Sequence, residues 1–208
     1  ALSRQAIIND DMDAFSKLAA QLGRAAKLSI EVDVYAALAE NAGLGPLMGD
    51  GNPMFDASHA NLGAGAALSV ASVEADRVVM KIQQDDSGND FLDLVPQILL
   101  VPAGLAGTAR QINESQYDLD TDGGLAPNIS NGLYSDIVDT GRMSGTRRYS
   151  FASPQIAPVL EVAFLDGAQE PYLEMQEGYR VDGVTWKIRL DYGVSGIGYK
   201  GAVTNAGA

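Results

Sequence analysis

Residues 2–43 read LSRQAIINDDMDAFSKLAAQLGRAAKLSIEVDVYAALAENAG, and the folding of this stretch decides the architecture. A short apolar segment runs into Asp10 and Asp11, both good helix N-caps. Asp13 adds a carboxylate in the first turn, where the helix dipole favours negative charge. Met12, Phe15, Leu18, Leu22, Ala26, Ile30, Val34 and Leu38 then recur at three- and four-residue spacings, one apolar stripe of a helix. Gly43 is the expected C′ stop. Such a helix holds about 32 residues and spans on the order of 48 Å at 1.5 Å per residue. Gly23 weakens it by roughly 1 kcal/mol relative to Ala. Because the stripe drifts off a strict heptad, the stretch predicts a strut rather than a coiled coil.

Working outward, residues 43–67 are punctuated by glycine, proline and asparagine and predict a long irregular excursion. Ser69 or Ser72 caps a second helix, SVASVEADRVVMKIQQ, which ends before the polar turn DDSGND. PQILLVP predicts a short buried strand between prolines, and AGLAGTARQINESQYD a third helix. DLDTDGGLAPNISNG is polar and turn-rich, hence a loop. Beyond it LYSDIVD, RRYSFAS, VLEVAFL and GYRVDGVTWKIRLDYG are strand-like, the last with a hairpin turn at Asp182–Gly183. Within it Val184, Trp186, Ile188 and Leu190 alternate with Thr185, Lys187, Arg189 and Asp191. The fold class is α+β, with helices mainly first and strands mainly last.

Composition narrows the function. The chain has 208 residues, 46% of them hydrophobic, enough for a core without covalent staples. It has no cysteine, which removes disulfides, thiolate metal sites and Cys nucleophiles. A net charge of -13 argues against binding to nucleic acid or to an anionic membrane surface. No apolar run approaches the roughly 18–20 residues of a membrane span, and the first residues lack the pattern of a signal peptide. The absent initiator Met predicts a processed or truncated chain.

No catalytic constellation emerges. His59 is the single histidine, and Asp56 beside it has no second His or Cys with which to complete a tight metal site. A packed or hydrogen-bonded loop histidine is expected. No serine lies in a nucleophile elbow, and neither GLGPLMG nor GVSGIG follows a strand and opens a helix as a dinucleotide fingerprint must. Asp118, Asp120, Asp122 and Gly123 reproduce the first half of a calcium loop, but Ile129 occupies the twelfth position, where a bidentate Glu is needed. A solvated acidic loop is the expectation; a calcium-dependent binding or adhesion module built on Asp118–Asp122 is the alternative function. Arg142, Arg147 and Arg148 form a small basic cluster, read either as an exposed strand face or as a patch that meets an acidic neighbouring subunit. Asn113 and Asn128 match a glycosylation pattern that matters only in a secreted eukaryotic protein. The sequence predicts no enzyme, no cofactor and no metal.

Several segments, in this order, carry a resemblance. LSRQAIINDDMDAF with its long Ala-rich helix, MFDASHANLGAGAALSVASV, PQILLVPAGLAGTA, VAFLDGAQEPYLE and GYRVDGVTWKIRLDYGVSGIGYKGAVTNAGA resemble the major capsid (head) proteins of tailed phages and prophages. More narrowly, they resemble the set encoded with a ClpP-like prohead protease. Residues 117–150 match poorly. The resemblance implies the Hong Kong 97-type fold, with the long helix as its spine and residues 1–8 as the returning strand of an extended loop. The N-terminal arm and most of that loop would then be missing, so that these 208 residues alone associate weakly. It places the peripheral lobe at 1–96 with 159–208, and the axial lobe at 97–158. It implies a structural subunit that self-assembles through hexamers and pentamers into an icosahedral, DNA-enclosing shell. A prohead protease and a scaffold are its expected partners, without sequence-specific nucleic acid or membrane binding. Its location would be the virion, with bacterial cytoplasm during assembly. Asp118, Asp120, Asp122, Arg142, Arg147 and Arg148 become candidate subunit contacts.

Overall fold

A computed structural model describes residues 2–3, 14–85, 87–119, 125–177 and 183–208. The caps expected at Asp10, Asp11 and Asp13, and the beginning of the apolar stripe at Met12, lie outside these residues. Helix α1 spans Ala14–Gly43. Along it Leu22, Ala26, Ile30 and Val34 are half-buried and Leu38 fully buried, as expected for this part of the stripe. The regular helix ends earlier than Gly43 predicts. Glu40 leaves the helical region with ψ 154, and Asn41, Ala42 and Gly43 take left-handed φ values of 50, 60 and 84. Asn41 tolerates that conformation and donates its amide to the Gly45 carbonyl at 2.8 Å, while Leu44 and Gly45 both donate to Glu40.

The chain forms two compact units, residues 1–34 with 162–194 and residues 35–161 with 195–208. The second unit holds a four-stranded sheet. That sheet has the order β11-β6-β2-β5, formed by Ala202–Asn205, Arg148–Ala152, Pro96–Pro102 and Asp136–Thr140. β2 and β5 are parallel, the other neighbours antiparallel.

β2 is apolar on both faces because both are covered. Leu99 and Val101 pack with Val73, Ala109, Ile112 and Tyr134, drawing helices α2 (Val70–Lys81) and α3 (Ala106–Glu114) to one side. Leu100 packs with Leu38, Met54, Phe55 and Tyr149 on the other. Ser69 caps α2 in a reciprocal box: the Ser69 Oγ accepts from the Ser72 amide, and the Ser72 Oγ accepts from the Ser69 amide. The residues expected to form one long helix after β2 make a short 3-10 turn, Ala103–Leu105, and then α3. The third helix ends at Glu114, and Tyr117–Leu119 (β3) pairs antiparallel with Leu125–Pro127 (β4). The expected loop is therefore in part a small hairpin.

In the first unit β1 (Leu2–Ser3), β9 (Gly183–Arg189) and β8 (Tyr172–Glu177) form a sheet of order β1-β9-β8. Besides β1, β9 pairs with β8, a strand absent from the sequence expectation. The turn expected at Asp182–Gly183 falls outside the described residues at Asp182. β7 (Leu160–Phe164) pairs with β10 (Tyr192–Gly196), and the chain passes between the two units within these strands and within α1. The Tyr192 hydroxyl donates to Asp33 and also contacts Ser29 on α1, and its bond to Asp33 raises its pKa.

Candidate assembly surfaces

The basic cluster that reads as continuous in the sequence is split by the fold. Arg148 begins β6, where its side chain points to the interior and is 1% exposed. Its Nε and Nη2 donate to Asp76 Oδ2 on α2 at 3.0 and 2.8 Å, and its Nη1 donates to the Ala66 carbonyl at 2.9 Å. Asp76 Oδ1 accepts from Asn205 Nδ2 at 2.8 Å, and Asn205 Oδ1 accepts from the Ala66 amide at 3.1 Å. Burial pushes the Asp76 carboxyl upward, while Asn205 and Arg148 oppose that shift. With the guanidinium and carboxylate 2.8 Å apart, the ionised pair leaves neither buried charge without a partner. Arg148 is thus an internal tie between α2, β6, β11 and the loop at Ala66, and not part of a surface patch. The alternation of β6 is the cause. Once Tyr149 and Phe151 face the Leu100 cluster, Arg148 and Ser150 must face the helices.

Arg142 and Arg147 remain toward the surface, Arg142 exposed and Arg147 half-buried. Together with Tyr35, Leu38, Met143 and Tyr149 they line a cleft of about 260 Å³. Arg147 Nη1 donates to Thr204 Oγ1 at 3.3 Å, and the Tyr149 hydroxyl donates to the Gly43 carbonyl at 2.9 Å. Burial raises the Tyr149 pKa. Asp118 is exposed on β3, while Asp120 and Asp122 lie outside the described residues.

His59 is 5% exposed and fully engaged. Its Nδ1 meets the Met54 carbonyl at 3.0 Å, its Nε2 meets Asp50 Oδ2 at 2.8 Å, and its ring stacks on Tyr199 at 3.9 Å. The bond from His59, aided by Asn52, pulls the Asp50 carboxyl down to about 2. Asp56 caps the 3-10 turn Ala57–His59 and is lowered by its bonds from Ser58. This is a tie for the long excursion, the packed histidine that the sequence predicts. Among the described residues no three His, Asp or Glu side chains gather as a metal site would require, and the calcium alternative finds no support. No described helix is long and apolar enough to cross a membrane.

The exposed apolar side chains are the feature that sequence reasoning missed. Leu92, Ile156 and Ile197 rim a cavity of about 410 Å³ in the second unit. In the first unit Tyr172, Leu173 and Met175 stand exposed on β8. The signal was present in the alternation of YLEMQE, but Pro171 and the density of Glu and Gln obscured it.

The described residues thus combine a long, largely exposed helix, a packed α/β core and exposed apolar strips. The chain belongs to the phage capsid protein family, whose model matches it over residues 1–205. No match was found among curated proteins or among solved structures. Family membership makes it a phage structural protein of the virion head, and such proteins assemble into oligomeric shells.

Proposed function

We propose that the chain is a major capsid subunit of the Hong Kong 97 type, which closes with its copies, as hexamers and pentamers, into an icosahedral head around the phage or prophage DNA. The family match over residues 1–205 carries this reading. Helix α1 supports it, since from Lys17 onward Leu38 and Gly43 are its only fully buried described residues, leaving most of its surface for neighbours to cover. In this reading residues 1–96 with 159–208 form the peripheral lobe and residues 97–158 the axial lobe. Asp118, Asp120 and Asp122 meet Arg142 and Arg147 of a neighbouring copy, a contact of opposite charges that sets register more than strength. A prohead protease and a scaffold act on the shell during assembly in the bacterial cytoplasm. The charge of -13 keeps the subunit from binding the enclosed DNA tightly. Many weak, repeated interfaces then suffice, because closure supplies the stability.

The test is negative-stain electron microscopy with sedimentation of the complete reading frame that contains this chain. Closed shells or ring-shaped capsomers are expected. A monodisperse monomer at high concentration overturns the assembly reading.

A further inference from the structure

Among the described residues β8 is an edge strand of its sheet: its only strand neighbour is β9, and all six of its residues are exposed. Unpaired edges invite another strand, and proteins ordinarily blunt them with proline, lysine, a bulge or a covering segment. Within β8 there is no proline, lysine or bulge; its charged residues are Glu174 and Glu177. It reads Tyr-Leu-Glu-Met-Gln-Glu, and its ladder with β9 runs without a shift from Tyr172↔Arg189 to Glu177↔Val184. Tyr172, Leu173 and Met175 are 59%, 38% and 55% exposed. Leu173 and Met175 lie opposite Ile188 and Trp186, so an apolar stripe of the sheet runs out to this edge and stops.

We propose that β8 pairs antiparallel with β8 of a second copy, about a two-fold axis at Met175, joining two three-stranded sheets into one of six strands. The capsid reading supplies the occupant, since a shell subunit meets its own copies at high local concentration; the geometry supplies the register. A two-fold axis normal to the sheet keeps each residue on its own face, so only residues of equal parity oppose one another. Two registers then overlap five residues of β8. Centred on Glu174, the pairing sets two glutamates directly opposite, which is destabilising. Centred on Met175, it sets Met175 against Met175, Glu174 against Gln176 and Leu173 against Glu177. No like charges then face each other, and the apolar stripe continues across the axis.

The chain has no cysteine, so single cysteines report this register without background. In Met175→Cys the two Cα atoms come within about 4.5–5.5 Å, inside the roughly 7 Å reach of a disulfide. In Tyr172→Cys they lie six residue steps apart, about 20 Å. Mild oxidation of the complete gene product should convert most Met175→Cys chains to a dimer on non-reducing gels, with at least tenfold less from Tyr172→Cys. Circular dichroism confirms that each variant is folded, as the exposure of both positions predicts. Equal yields at the two positions, or no dimer from folded Met175→Cys, overturn the pairing. Microscopy of the same samples separates the two readings. Shells from Met175→Cys that carry no cross-link remove the β8 contact and leave the capsid role. The cross-link without shells or capsomers keeps the contact and removes that role, and neither result overturns both.

Discussion

Arg148→Met tests the internal tie of the second unit. Methionine keeps most of the side chain's length and apolar contact while removing the guanidinium. Asp76 is then left as a carboxylate at 2% side-chain exposure, held by Asn205 alone. Breaking a buried pair from one side costs about 3–5 kcal/mol. The Ala66 carbonyl also loses the donor at 2.9 Å, which pushes the loss toward the upper end of that range. At about 2–4 °C per kcal/mol for a chain of this size, the melting temperature falls by on the order of 10 °C. Adding Asp76→Leu should recover stability rather than lose more, because the buried charge goes with it. The assay is urea unfolding followed by far-UV circular dichroism, with hydrogen exchange read on peptides covering β6 and β11. A single variant within about 1 kcal/mol of the parent, or a double variant less stable than the single, refutes the claim that this pair is desolvated and mutually dependent.

Three further perturbations act on separate parts of the fold. In Gly63→Ala the new Cβ would lie 2.6 Å from Asn205 Nδ2 and closer still to Asp76 Oδ1, so the buried cluster must shift; a loss of about 1–3 kcal/mol in urea unfolding is expected. Gly23→Ala adds a methyl with nothing within 4 Å, and mid-helix it should stabilise by roughly 0.5–1 kcal/mol in the same assay. The Tyr134 hydroxyl, bonded to Ser150 at 3.0 Å, is pushed up to about 12 by burial. A raised folded pKa gives stability that is complete below pH 10 and lost as pH rises through 12, worth on the order of 2–3 kcal/mol. Tyr134→Phe should flatten that part of the alkaline unfolding profile, and an unchanged alkaline limb would contradict the burial of the hydroxyl.

What could be read in advance follows from the range of the forces involved. The α1 stripe, the Ser69 cap and strand PQILLVP are set by residues within a few positions of one another, and each lies where periodicity and capping chemistry put it. The early end of α1 is also local, since Asn41 accepts a left-handed φ, but Gly43 advertises the stop more loudly. β11 and β8 are legible only through their partners. AVTN is a strand because it covers β6 and buries Asn205 against Asp76, 129 positions away in the chain. YLEMQE is one because Trp186 and Ile188 present a ladder to it. Arg148 shows the same rule at a candidate site: three arginines within seven residues look like one patch, yet strand alternation sends Arg148 inward to Asp76 and leaves Arg142 outside. For a protein that works by contact with its copies, this is the consequential error. Surface chemistry is decided by which side of a strand faces the core, and that depends on residues which local sequence does not bring together.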